Sequence, residues 1–549
     1  MKEGEKSLSR IDKAMRIFHT VRYLKSIQIR HRIFYTLRRK FRSMTGFRYP
    51  SSIDMKSSAL NFAPSIPSPV SYLGVRKFEF LNLSQEFENS IDWNFSEYGK
   101  LWTYNLTYFD YLQQPDMTKD RGLHLINDFI DQWETLKDAL EPFPISLRGV
   151  NWIKFLSRHN IRDQRIDDSL YAQYYILMDN LEYHLMGNHL LENGFSLLFG
   201  AYYFQDEALY AKAAEILTAE LEEQILDDGA HFELSPMYHQ IMLFRVLDCL
   251  NLVIGNSSSV IGRSSMDRLK PLLMEKAEKM LAWLNTISYE NGDIPLLNDS
   301  ANGIAPTTKQ LNEYANNLNS KFKIQNSKLK NSGYRKVAQS RYECILDIGP
   351  IGPDYIPGHA HADTFNFELR TTQHSTLNTQ RSMKVPFIVD TGLSTYETNP
   401  RRTEERSTRA HNTVEINGVS SSEVWGGFRV ADRAYVTVEK ESDREIVASH
   451  DGYLKKFGII HTRQWIFEED RIVIKDRLNK KANAVARLHF HPDVTREQIM
   501  KHITIHQSRL TPHASHLTSY EYAPEFNKTV EALVLEIPFE QELHMEINL

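Results

Sequence analysis

Cysteine is nearly absent. The 549 residues hold only Cys249 and Cys344, far apart in the chain, which suggests buried thiols and no disulfide framework. No run of about 18 apolar residues occurs, so no membrane span is expected. The N-terminus also lacks the short apolar core and small-residue cleavage site of a secretory signal. Taken at face value the chain is cytoplasmic, or periplasmic or surface-associated if its native N-terminus is missing. Charge of neither sign dominates: 65 Lys and Arg stand against 70 Asp and Glu, giving −5 and a pI near 6.5. Nothing therefore draws the chain as a whole to nucleic acid. A fixed-period repeat is missing, and so is an evident pair of carboxylates placed for glycoside hydrolysis. What remains is length enough for two or three domains, with an ordinary 41% of hydrophobic residues.

Three textures follow one another. Residues 1–45 carry thirteen Lys or Arg against three acidic residues, with Ile11, Met15, Phe18, Val21 and Leu24 at roughly helical spacing. Such a basic amphipathic helix either packs on the main body or lies on an anionic membrane surface. Ser51 to Val70 reads as a linker. From Trp93 to Ile324 apolar residues recur at helical period over Leu123–Leu136, Ser169–Leu185, His189–Phe204, Glu207–Ile225, Pro236–Val253 and Met266–Ile287. Short joints between them favour antiparallel neighbours around a central cleft. After Ser332 come short runs rich in β-branched and aromatic residues, from Arg341–Ile348 to Ala484–His491, which predict an all-β domain, a sandwich. The divisions are 1–90, a basic helical segment and linker; 91–330, a helical domain; and 331–549, a β domain.

The chemistry concentrates between Gly358 and Arg433. The run Gly358-His359-Ala360-His361-Ala362-Asp363 sets two histidines two residues apart, so that both face one way in an extended chain. Asp390 closes the apolar run Phe387-Ile388-Val389, and His411 follows in Ala410-His411-Asn412-Thr413. Histidine and carboxylate ligate zinc-type ions. These residues form a metal site, a proton-transfer site or both, or are unrelated loop residues.

Four further stretches carry polar clusters. Gly187-Asn188-His189-Leu190-Leu191-Glu192-Asn193-Gly194 opens a helix, with Asn188 a candidate cap. Ser235-Pro236-Met237-Tyr238-His239 opens another. Ser146 to Trp152 offers Arg148, Asn151 and Trp152 for a carboxylate and a sugar face, or forms a surface loop with one buried indole. Asn291 to Asp299 reads as an interhelical turn. Glu368 and Arg370 alternate with apolar neighbours and are expected on a strand's polar face, with His450, His461, His489 and His491 as ordinary sandwich residues.

Together, Asn188-His189 with Leu-Leu-Glu-Asn-Gly, Ser235 to His239, Gly358 to Asp363 and Ala410 to Thr413 resemble the heparinase II/III-like polysaccharide lyases over roughly residues 90–490. The resemblance implies an incomplete (α/α) toroid followed by an antiparallel β-sandwich, acting on an anionic polysaccharide by β-elimination at a uronic acid. An enzyme doing this must neutralise the uronate carboxylate and then place a base near the C5 proton. By resemblance Asn188 would bond the carboxylate with His189 close by, Tyr238 would serve as base, acid or both, and His359 would neutralise charge or move a proton. Arg148, Asn151, Trp152, Glu192, His239 and Arg409 are the substrate-binding candidates, and Arg148, Arg406 or Arg409 would lower the Tyr238 pKa from its ordinary 10 or so. The zinc ligands implied are His361, Asp390 and His411, around a structural ion, with Asp363 as substitute or loop brace. A metal-dependent glycan hydrolase and a non-catalytic glycan-binding protein are the alternatives.

Overall fold

The computed structural model describes residues 10–257, 261, 266–318, 322–372, 383–506 and 515–549, so the first nine residues of the basic segment lie outside it. Helices α1 (Arg10–Val21) and α2 (Ser26–Thr45) come first, then a small antiparallel sheet of β1 (Tyr72–Gly74), β2 (Lys77–Phe80) and β3 (Leu83–Glu86). The helical half comprises α3 (Lys100–Tyr108), α4 (Lys119–Asp131), α5 (Pro142–Arg158), α6 (Gln164–Asp179), α7 (Gly187–Phe204), α8 (Glu207–Gln224), α9 (Pro236–Gly255), α10 (Met266–Ile287) and α11 (Thr308–Asn317). Several boundaries have a local cause. Asp163, Asp206 and Ser235 accept hydrogen bonds from amides of the first turns of α6, α8 and α9, and Pro142 starts α5 where no amide partner is needed.

Apolar residues on all sides put α7 and α9 at the centre. Every residue of α7 except His189 is buried. Helix α9 is long and apolar enough to cross a membrane, yet it packs inside against α7, α10 and α11. Two expectations fail here. Ser146 to Trp152 is the interior of α5, not a surface loop. The segment 51–70 has no regular structure but is no free linker: Ser58 donates its amide to the Tyr203 carbonyl, Asn61 and Ala63 donate theirs to Asn256 and Asn251, and Leu60 is buried.

The second half is antiparallel throughout its named sheets. One sheet runs β4 (Tyr334–Ala338), β5 (Tyr342–Asp347), β6 (Phe367–Thr372) and β7 (Lys384–Ile388). After α12 (Pro400–Glu405) come β8 (Val414–Ile416) and a hairpin of β9 (Val424–Trp425) and β10 (Arg429–Val430). Six strands then pair as β11 (Val436–Ser442), β12 (Glu445–His450), β13 (His461–Phe467), β14 (Arg471–Leu478), β19 (Glu542–Asn548) and β16 (Ile503–Ile505). The last sheet runs β17 (His516–Glu525), β18 (Lys528–Phe539), β15 (Ala484–His489) and β8. Alternation along β13, buried at every second residue from His461 to Phe467, shows one face turned to a common core.

The two halves keep separate hydrophobic cores, and the first reaches across the join to include Ile345, Leu393 and Phe526. Strand β5 is buried on both faces, Ile345 toward the helices and Cys344 and Leu346 toward the β core. Glu368 is not on a solvated face. It accepts from the Tyr289 hydroxyl at 2.8 Å and from the Leu296 and Asp390 amides, and burial raises its carboxyl to about 7. Arg370 lies over the Tyr289 ring and pairs with Asp293.

Candidate active site

The N-termini of α7 and α9 meet the loops of the β half at a polar centre. Asn188, in the first turn of α7, donates from Nδ2 to both carboxylate oxygens of Glu233 at 3.0 Å and from its backbone amide to Oε1 at 3.1 Å. The preceding Gly187 has φ +58°, and a Cβ there would meet the Ile356 side chain at 2.7 Å and Glu233 Oε1 at 2.8 Å, so only glycine allows this approach. His189 Nδ1 sits 3.1 Å from Glu182 Oε1 and its ring packs on Phe143. Burial depresses the imidazole, but the Glu182 carboxylate outweighs that and leaves it raised.

Tyr238 is fixed by Ser235, whose hydroxyl caps α9 by accepting from the Tyr238 amide and donates to the Asp299 carbonyl at 2.7 Å. The phenol ring stacks on His359 with centres 3.9 Å apart, and its oxygen accepts from the Tyr396 hydroxyl at 3.2 Å. Burial holds the phenol well above its ordinary 10, and the bond from Tyr396 offsets this only in part. The imidazole beneath it lies between two carboxylates, with Nδ1 2.9 Å from Asp299 Oδ2 and Nε2 3.5 Å from Glu233 Oε2.

Asp299 is the hub, and the sequence reading passed over it as part of a turn. Arg402 clamps it bidentately at 2.5 and 2.7 Å, and it contacts His359 and, at 2.8 Å, His361 Nε2. Burial would raise this carboxyl, yet Arg402 and the two histidines hold it well below the usual range. Left-handed backbone precedes three site residues: Met186 and Gly187 before Asn188, Leu234 before Tyr238, and Asn298 before Asp299. The strain is held by hydrogen bonds, since the Leu234 carbonyl accepts from both the Tyr334 hydroxyl and Asn298 Nδ2.

The expected substrate-binding set divides. Arg148 is wholly buried, donates to Gln173 and to the Thr107 and Ala139 carbonyls, and lies over Phe129; burial lowers it to about 9. Asn151 bonds Asp110 and the Tyr108 carbonyl, and Trp152 is packed edge-on to Phe109 and Phe129. Glu192 pairs with Arg245 at 3.1 Å, while His239 is buried between the His231 amide and the Met280 carbonyl. These five are buried within the helical core. Arg406 is likewise spent on the Ala360 and Gly427 carbonyls, so it does not lower the Tyr238 phenol, whereas Arg409 is exposed. Residues that the sequence reading missed are Glu233, Asp299, Tyr396 and Arg402. Their only signal was proximity to the motifs.

His189 also marks one end of a cleft of about 1400 Å³ between α2 and the helical half, walled by Arg32, Arg39, Arg48, Lys100 and Trp133. Arg32 and Arg39 make no ion pair among the described residues.

For zinc, the donor kinds fit. His361, Asp390 and His411 are all buried, and His361 Nδ1 and His411 Nε2 have no hydrogen-bond partner. Asp390 Oδ2 lies 2.8 Å from His411 Nδ1 and also accepts from Asn366, so gathering three donors on one ion needs a turn of that pair. Asp363 Oδ2, buried nearby in the chain, is unpartnered as well. Among the described residues the one trio with donor atoms mutually within 4.8 Å is His506, the residue after β16, with His544 and Glu546 on β19.

Fold and site together define a two-part protein, helical then β, with its polar centre where the parts meet. The sequence matches the heparinase II/III N-terminus over residues 155–326 and the heparinase II/III-like C-terminal region over 325–548. The chain belongs to the heparinase II/III-like family. Among solved structures it is similar to a heparinase III at 16% identity and TM-score 0.61, covering 84% of this chain and 80% of that one. A second heparinase III gene product gives 14%, 0.53, 84% and 81%. A mutant of the heparan sulfate lyase HepC from Pedobacter heparinus gives 16%, 0.49, 86% and 81%. No curated protein matches.

Proposed function

We propose that this chain is a polysaccharide lyase that cleaves an anionic, uronate-containing glycan by β-elimination. The observation that carries the reading is the Tyr238–His359 stack, set beside an asparagine whose donor side is already committed to Glu233. With Nδ2 so used, Asn188 presents its carbonyl oxygen. That oxygen suits a uronate carboxyl carrying a proton, the neutralised form that makes C5 acidic. His189, held toward its cation by Glu182, adds positive potential from the cleft side.

In the reaction the C5–H proton leaves to a base, the C4–O4 bond breaks, a C4=C5 double bond forms, and the departing oxygen takes a proton. Tyr238, protonated because it is buried, is placed to give that proton. His359, oriented by Asp299, is placed to take the C5 proton. Arg32 and Arg39, which make no ion pair among the described residues, favour a polyanion along the cleft. A zinc ion held by His361, Asp390 and His411 would brace the β-half loops against the site.

Ultraviolet absorbance of the unsaturated uronate, measured across a panel of uronate polysaccharides, tests the reading. Tyr238→Phe is expected to lower the rate by roughly 10²–10⁴-fold in a folded protein. New reducing ends without absorbance would replace elimination by hydrolysis. Binding without either signal would leave a glycan-binding protein. For the ion, elemental analysis of purified protein is expected to find zinc that is lost in His411→Ala together with several degrees of melting temperature; metal-free wild type of unchanged stability would remove the assignment.

A further inference from the structure

Helix α2 turns its polar side inward. Gln28 donates to the Leu185 carbonyl, Tyr35 to the Leu181 carbonyl, and Arg38 and Arg42 pair with Asp179. Its other side carries Ile29, Ile33, Phe34, Leu37, Phe41 and Met44, spaced so that they form one stripe on a helix of 3.6 residues per turn. All six are exposed, Leu37 by 61%, Phe41 by 66% and Met44 by 85%. Arg30 and Lys40 lie within the same outward face and form no ion pair among the described residues. Helix α1 repeats the pattern with Ile11, Met15, Ile17 and Phe18 exposed. An ordinary surface helix of a globular protein is arranged the other way round, with its apolar stripe against the core. A bare stripe of this size marks a contact surface.

Charge decides what covers it. Residues 10–45 hold eleven Lys or Arg and a single acid, Asp12. A second copy laid stripe on stripe would bring these like charges together. An anionic bilayer supplies opposite charge at the headgroups and apolar depth just below them, which is what a basic amphipathic helix lying in the interface needs. Arginines through the middle of α2 rule out its spanning the bilayer.

We infer that α1 and α2 dock the protein on an anionic membrane surface. Ile33, Leu37, Phe41 and Met44 enter the headgroup–acyl boundary, with Arg30 and Lys40 on lipid phosphates. The cleft opens on the inner side of the same helix, so a polymer lying in it is held about one helix diameter, ~10–12 Å, from the membrane. This orientation does not depend on the lyase reading.

The test is co-sedimentation of the full chain with vesicles of phosphatidylglycerol and phosphatidylcholine, against vesicles of phosphatidylcholine alone. Wild type is expected to pellet with the anionic vesicles and to be released by salt. The triple variant Ile33→Glu, Leu37→Glu, Phe41→Glu is expected to bind at least 10-fold more weakly. All three positions are exposed, so circular dichroism and melting temperature should be unchanged, which confirms that the loss is one of binding. Wild type left in the supernatant at low salt would overturn the inference, as would a triple variant that binds like wild type. Equal pelleting with neutral vesicles would overturn the choice of an anionic surface. A dimer in solution that the triple variant abolishes would make a second copy the occupant.

Discussion

At the scale of single residues, the site is a set of carboxylates that position histidines. Glu182 is to His189 what Asp299 is to His359. Because the folded pKa of His189 is raised above its ordinary 6.5, its charge-linked stability is fully present below 6.5 and is lost as pH rises through the folded value. Glu182→Gln is therefore expected to lower the His189 midpoint in an NMR titration and to shift the alkaline limb of kcat/KM to lower pH. An unmoved midpoint would show that Glu182 does not hold the charge. The motif residues Asn188, Tyr238, His359 and His411 could be named from sequence because each sits in a short run of unusual composition. Asp299 and Arg402 could not, because what joins them is a buried ion pair across 103 residues. Arg148 and Trp152 misled for a related reason: a guanidinium near an indole looks like a sugar platform until it proves to be surrounded by helix carbonyls.

At the scale of elements, periodicity located α7, α8, α9 and α10 almost to the residue, since each is apolar over several turns and α8 and α9 start at a capping side chain. It missed α5, where Pro142, Pro144 and Gly149 suggest a loop although the prolines occupy a first turn that tolerates them. It also passed over β16 to β19, whose alternation mixes charged and apolar residues. The β core has a polar anchor of its own. His450, His461, Arg463 and Asp476 form a buried chain on β12, β13 and β14, and Arg463 reaches on to the Asn412 carbonyl beside His411. Burial would raise Asp476, but Arg463 and His461 bring it from 3.8 down to about 2. Its contribution is thus present above the ordinary carboxylate range and is lost as pH falls toward 2. Asp476→Asn strands the guanidinium of Arg463, and chemical denaturation should show a loss of about 3–5 kcal/mol. A smaller change would mean that water reaches the pair.

At the scale of the whole molecule, residues 10–45 touch both halves. Arg38 and Arg42 hold Asp179 of the helical half, while Arg16 reaches Glu423 and Thr20 accepts from Trp425 in the β half. Gln28 bonds to both, through Leu185 and Tyr355. In a building this would be a diagonal brace, a member that carries little load but stops two blocks from shearing. Two separate cores joined in this way should melt as one cooperative unit. Releasing the brace with Asp179→Ala is expected to split or broaden the calorimetric transition and to speed amide exchange along α2, whereas a single unshifted peak would show that the interface around β5 and Asp299 suffices. If the brace is also the part that rests on a membrane, then lipid contact becomes a mechanical input: whatever tightens or loosens those helices sets how far the jaws of the cleft can part.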